Sequence, residues 1–224
     1  TNIISAIAVT GGKSSDLADS YKDIPIIKIN EIQAIGYGAK ELYKIKDSSF
    51  IVVSCGTGTA CVAYMNNEFE HLGGISVGGG TLQGLSNILT GISDPKKIDE
   101  LALQGSKSNL DVLIGEVVND IGSLHADVTA SNFSKGRFNT NFKDADVESS
   151  LSNMIGEVIG TISYLNALLV GVKKIYFIGK VSLLDSVKDG IDKRLELANI
   201  EGKYNDLRGF GNVIGAIAYL NANT

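Results

Sequence analysis

Along the chain, short β-branched apolar runs alternate with longer stretches in which apolar residues recur at helical spacing. Strands are expected at Ile3 to Val9, Pro25 to Ile29, Phe50 to Cys55 and Lys174 to Ile178. Ala60 to Met65 and Phe69 to Gly73 read as a hairpin turning at Asn66-Asn67. Asn30 reads as the cap of a helix from about Glu31 to Ile45, with Ile32, Ile35, Ala39 and Leu42 on one face. A second helix follows Thr81, marked by Leu82, Leu85, Ile88 and Leu89, and Asp94-Pro95 opens a third over Lys96 to Gln104. The longest periodicity, Glu148 to Gly171, predicts a core helix with a wide apolar face. Further helices are expected over Leu183 to Ala198 and from Phe210-Gly211 to about Leu220. Residues 109–118 fit helix and strand equally well, and Ala126 to Phe133 reads as a small, polar loop. Strand, glycine, helix recurs three times, which predicts an α/β fold with glycine turns along one edge of a mostly parallel or mixed sheet.

The glycines turn this outline toward chemistry. The chain has 26 of them in 224 residues, well above the ~7% of average usage. Gly56-Thr57-Gly58-Thr59 follows directly on a buried strand, and Gly78-Gly79-Gly80-Thr81 opens a helix. Glycine lets backbone N–H groups approach a ligand closely, and a helix start adds unpaired N–H groups and the positive end of a dipole. Two such turns fit a nucleoside triphosphate, and purely structural turns are the competing reading. In the triphosphate reading the amides around Thr57 and Thr81 face each other across a cleft. Glu31 stands in a first helical turn after a strand, which suits either a dipole-stabilising residue or a base aimed into the crevice of an α/β sheet. Thr10-Gly11-Gly12-Lys13-Ser14 fails the P-loop pattern because Ile7 stands where its first glycine is required.

Charge and cysteine content narrow the classes. A net charge of −5 without a lysine or arginine cluster argues against nucleic acid as a partner. No uninterrupted apolar run reaches the ~18 residues of a membrane span, and no secretion signal is recognised, so a cytoplasmic location without a membrane partner is expected. Cys55 and Cys61 read as buried free thiols. His71 and His125, the only histidines, lie too far apart in sequence to suggest a zinc site, and no metal ligands are nominated.

Taken with the Glu31 helix start, Thr10-Gly11-Gly12, Gly56 to Thr59 and the run from Gly73 to Leu85 resemble one family, the type II pantothenate kinases. That family lies within the superfamily of actin, heat-shock ATPases and sugar kinases. The resemblance implies an actin-like (ribonuclease H-like) two-lobed α/β kinase, with residues 1–48 the remainder of the N-terminal lobe and 49–224 the C-terminal lobe. It implies transfer of the γ-phosphate of ATP, with Mg2+, to pantothenate, the first step of coenzyme A synthesis. In that pattern Glu31 is the base. Gly56, Thr57, Gly58 and Thr59, with Gly78, Gly79, Gly80, Thr81 and Gly84, hold the nucleotide phosphates, and Gly179, Gly211 and Gly215 form adenosine-side turns. Glu31, His71, Gly73, Thr129, Ala130 and Tyr204 belong to the acceptor site. A homodimer is implied, in which Thr129 to Phe133 or the neighbourhood of Tyr204 reaches the partner's site.

Two departures accompany the resemblance. The family's N-terminal Asp-x-Gly-Gly-Thr motif lies upstream of where this sequence starts, at Thr1, so the expectation is a fragment with an incomplete N-terminal lobe, or a reduced, non-catalytic nucleotide-binding homologue. His71 stands where the family has an arginine for the pantothenate carboxylate, and imidazole cannot form the bidentate fork of a guanidinium. A kinase acting on a sugar or another small hydroxylated acceptor is therefore the alternative.

Overall fold

The computed structural model describes residues 4–118 and 125–223. Its chain begins with a small sheet in which β1 (Ile7–Val9) runs parallel to β3 (Ile24–Lys28), with the two-residue β2 (Ser20–Tyr21) antiparallel beyond it. The expected opening strand is thus shorter than predicted: residues 4–6 are not strand, and Ile3 lies outside the described residues. Helix α1 (Glu31–Tyr43) follows, capped as predicted by the Asn30 side chain, which accepts from the Ile32 N–H at 2.9 Å. Then come β4 (Phe50–Cys55), β5 (Thr59–Met65) and β6 (Glu68–Ile75), the last two forming the hairpin at Asn66-Asn67, both with positive φ.

Helices α2 (Gly79–Thr90) and α3 (Pro95–Ala102) precede the stretch whose pattern was ambiguous. It contains both elements: a two-residue strand, β7 (Val112–Leu113), and a single turn, α4 (Ile114–Val117). Inside the expected polar loop, β8 (Thr129–Ser131) pairs antiparallel with β7. The long helix α5 (Asp144–Val170) starts one turn before its apolar periodicity does. The remaining elements are β9 (Lys174–Ile178), α6 (Asp185–Leu197), β10 (Glu201–Tyr204) and α7 (Gly211–Asn223). Strand β10 was not expected, because four residues including Gly202 and two charges carry no strand pattern.

The main sheet has the order β10-β9-β4-β5-β6, with β10, β9 and β4 parallel and the β4-β5-β6 meander antiparallel. Because strand side chains alternate, β4 feeds both faces: Ile51, Val53 and Cys55 enter the core under α5 and α6, whereas Phe50 and Val52 enter the core under α1. Strand β9 divides likewise, with Ile175 and Phe177 on the α5 side and Tyr176 and Ile178 on the α1 side. Burying each of these large side chains contributes about 1.5–3 kcal/mol. Helix α5 is long and apolar enough to cross a membrane by length and composition alone. Its buried Glu148, Ser150, Asn153 and Glu157 hydrogen-bond to other parts of the protein, which marks it as the core helix of this fold.

On the opposite face α1 and α7 cross in close contact. A Cβ on Gly38 would stand 2.1 Å from the Gly211 carbonyl oxygen, and one on Gly215 would stand 1.8 Å from the Ala34 carbonyl oxygen. Only hydrogen at these two positions lets the backbones approach so closely.

Candidate active site

The parallel strands β4 and β9 deliver their carboxyl ends to one edge of the sheet, where open α/β sheets bind ligands. The two predicted phosphate turns meet there in direct contact. The Gly79 N–H donates to the Gly56 carbonyl at 2.8 Å, and the Gly80 N–H donates to the Thr57 carbonyl at 2.9 Å. A Cβ on Gly78 would lie 2.8 Å from the Thr57 oxygen, so its missing side chain is what allows the turns to touch. The turns therefore form one joined platform, where the sequence suggested two walls of a cleft. Two of the four orphan donors at the start of α2 are consumed in building it.

The hydroxyls divide between scaffolding and exposure. Thr59 Oγ1 donates to the Val77 carbonyl at 2.8 Å and Thr81 Oγ1 donates to the Ser76 carbonyl at 3.0 Å, which clamps the chain entering α2. Thr57 is exposed at the tip. The far end of α2 is tied to α5, because Ser86 and Thr90 each donate a 2.6 Å hydrogen bond to one oxygen of the fully buried Glu148. The platform thus stands on a helix fixed at both ends.

Of the other residues expected on the nucleotide side, Gly179 lies beside this platform. Gly179, with φ +93°, sits against the end of β4, where a Cβ would meet the Cys55 carbonyl oxygen at 2.4 Å. Val181 packs against Gly79, and Gly211 packs against Ile178. A residue the sequence reading missed joins the loops after β9 and β10: buried Arg208 donates to the Ser182 carbonyl at 2.9 and 3.1 Å and to the Asn205 carbonyl at 3.0 Å. An isolated arginine among loop residues carried no pattern that would have found it. Gly84 lies exposed along α2, and Gly215 lies one turn into α7, buried at its crossing with α1.

The acceptor-side candidates fall on opposite faces of the sheet. Glu31 is exposed at the start of α1, whose Gly36 packs on Phe69 of β6. His71 pairs with Val62 and so shares the α1 face with Val62 and Phe69, exposed on the edge strand. Gly73 follows at a β-bulge with φ +116°. Thr129 and Tyr204 belong to the α5 side. The Tyr204 ring stacks on Phe177 with centroids 5.0 Å apart, and its hydroxyl donates to Asp192 at 2.6 Å. Burial and the Asp192 carboxylate push that phenol far above its ordinary range. Thr129 is buried at the end of a polar network, and Ala130 beside it is exposed. Within that network Lys107 is held below its usual range by burial, opposed by Glu157, and burial raises Asp111.

Both thiols are buried as expected, and burial raises them, Cys61 to about 11 and Cys55 further. Among the described residues no group of three or more His, Cys, Asp or Glu is placed to hold a metal ion.

Comparisons with known proteins agree with this architecture. The Fumble family model matches residues 37–184. A type II pantothenate kinase of Bacillus cereus (strain AH820) is 31% identical over 96% of this chain and 81% of its own length. Pantothenate kinase 2 of Arabidopsis thaliana is also 31% identical, over 77% of this chain and 23% of its own. Among solved structures, an activator of 2-hydroxyisocaproyl-CoA dehydratase from Clostridium difficile, with bound ADPNP, superimposes with TM-score 0.64 at 14% identity over 98% of this chain and 74% of its own. A ROK hexokinase from Thermus thermophilus gives 0.57 at 10% identity over 88% of this chain and 68% of its own. The solved structures establish the actin-like, sugar-kinase fold, and the family model with the Bacillus relative places this chain in the type II pantothenate kinase family.

Proposed function

We propose that the protein phosphorylates pantothenate to 4'-phosphopantothenate at the expense of ATP, the first step of coenzyme A biosynthesis. The observation that carries this reading is the joined glycine platform at the carboxyl edge of the sheet, in a chain of this family. Phosphoryl transfer asks the protein mainly for positioning and for donors to developing negative charge. The exposed backbone around Thr57 and Gly80, on a scaffold braced by Thr59, Thr81 and Glu148, suits that task. Mg2+ enters with the nucleotide as Mg·ATP. In the reaction, the acceptor hydroxyl gives its proton to the Glu31 carboxylate as its oxygen forms a bond to the γ-phosphorus. The bond from that phosphorus to the β,γ-bridging oxygen breaks, and ADP leaves.

The division of acceptor candidates between two faces supports a homodimer. Glu31 and His71 serve one acceptor site, and Thr129, Ala130 and Tyr204 serve that of the partner. Residues 1–48 and 49–224 are assigned to the N-terminal and C-terminal lobes, with α1 of the first packed on the main sheet of the second, and the enzyme is cytoplasmic. A second reading rests on His71, an exposed imidazole where the resemblance expects a guanidinium. It keeps the chemistry and replaces pantothenate by a sugar or other hydroxylated acceptor. Coupled detection of ADP over a panel of acceptors separates the two: pantothenate is expected to give the highest kcat/KM, and a sugar exceeding it would establish the second reading.

A further inference from the structure

The network behind β8 sets the direction of a single proton. Lys107 has a side chain only 13% exposed, and its ammonium donates to Thr129 Oγ1 at 3.1 Å and to Asn153 Oδ1 at 3.0 Å. An ammonium has no acceptor, so the amide oxygen of Asn153 must face it, and the amide nitrogen must therefore face away. That nitrogen donates to the same Thr129 Oγ1 at 3.1 Å. The Glu157 carboxylate, 4.0 Å from Lys107 and 3.2 Å from Arg194, keeps company with both cations and accepts from Asn132 at 3.3 Å.

A hydroxyl has two lone pairs and one proton. Lys107 and Asn153 occupy both lone pairs of Thr129. No acceptor for its proton is found among the described residues, although the residue is only 6% exposed. A buried donor left without a partner is costly, and such a group is suited to receive a ligand atom.

We propose that Lys107 and Asn153 are specificity-determining positioning residues, which convert the Thr129 hydroxyl into a dedicated donor and so select an acceptor substrate presenting a carbonyl or carboxylate oxygen there. The proposal rests on the reading of Thr129 as a substrate contact, and it deepens that reading. Pantothenate has both kinds of oxygen, whereas a simple sugar offers hydroxyls that donate as readily as they accept. Selection at this point therefore adds to whatever His71 contributes.

The test is Asn153→Asp in the full-length protein, assayed by ADP release with pantothenate and Mg·ATP beside wild type. A carboxylate at 153 keeps the shape but accepts only, so it captures the Thr129 proton that the substrate needs. The expected result is a roughly 10-fold or greater rise in KM for pantothenate, the equivalent of one lost hydrogen bond, with KM for ATP unchanged and the circular dichroism spectrum retained. Thr129→Val should give a similar rise and Thr129→Ser should restore most of it. Lys107→Met added to Thr129→Val should cost little more than Thr129→Val alone, because both act through one hydroxyl. An unchanged pantothenate KM in Asn153→Asp, or costs that multiply in the Lys107→Met/Thr129→Val pair, would overturn the proposal. A wild type inactive on pantothenate overturns the functional reading itself, and the proposal with it.

Discussion

The two faces of the main sheet are built by different physics. On the α1 face contact is a matter of shape: Phe50, Tyr64, Phe69 and Tyr37 pack ring to ring at 4.9 to 6.2 Å, Gly36 and Gly211 make room for the side chains of Phe69 and Ile178, and Gly38 and Gly215 bring backbones together. On the α5 face the buried carboxylates Asp111, Asp146, Glu148 and Glu157 all lie on α5 or against it, each holding a loop or helix by hydrogen bonds. A shape-built face fails when an atom is added, and a hydrogen-bonded face fails when one is removed. The base assigned to catalysis stands on the first, and the network that orients Thr129 stands on the second.

The largest effect on stability should follow from adding one carbon to the α1 face. Gly215→Ala places a Cβ 1.8 Å from the Ala34 carbonyl oxygen, so α1 and α7 must separate. Overpacking of this severity should cost about 3 kcal/mol and lower the melting temperature by roughly 10 °C; a melting curve within about 2 °C of wild type would refute the shape-built account. On the α5 face the smaller perturbation is removal of one oxygen. Ser86→Ala takes a 2.6 Å donor from buried Glu148, whose other oxygen already lacks a partner. The expected loss is about 1–3 kcal/mol by urea denaturation, and KM for ATP should rise because α2 presents the glycine platform. No change in either would show that the tie to α5 does not position α2.

The smallest effect lies at high pH, where the two faces join. Tyr43 of α1 donates to the Phe177 carbonyl at 2.5 Å and accepts from the Asn205 N–H at 3.0 Å, and burial pushes its phenol up to about 12. The unfolded chain releases that proton near 10.0 while the folded chain keeps it. Stability from this group is therefore present below pH 10 and is lost as pH rises toward 12. Tyr43→Phe is less stable at neutral pH, and its urea midpoint should fall less than that of wild type between pH 9 and 11.5. Equal falls would contradict the assignment.

The same contrast explains what the sequence made legible. Helical and strand periodicity located α1, β4, α5 and β9 because each buries a continuous apolar stripe. The glycine clusters located the platform because two glycine-rich turns, one ending a buried strand and one opening a helix, mark where backbones can approach closely. Periodicity could not show that Gly56 and Gly79 touch, since that contact is between backbones distant along the chain. Nor could it find Arg208, Lys107 or Asn153, whose roles lie in directed hydrogen bonds that leave no repeating pattern. Strand β10 escaped because a parallel edge strand of four residues takes its stability from pairing with β9 rather than from its own composition.

The central claim is that the glycine platform and Glu31 together transfer phosphate to pantothenate. The most direct measurement is ADP release by the full-length protein with Mg·ATP and pantothenate, wild type against Glu31→Gln, with nucleotide affinity measured by calorimetry in parallel. The account predicts pantothenate-dependent ADP release by wild type and a loss of about 10²- to 10⁴-fold in kcat for the variant, with ATP bound equally well by both. Undiminished turnover in Glu31→Gln, or ADP release that ignores pantothenate, would contradict it.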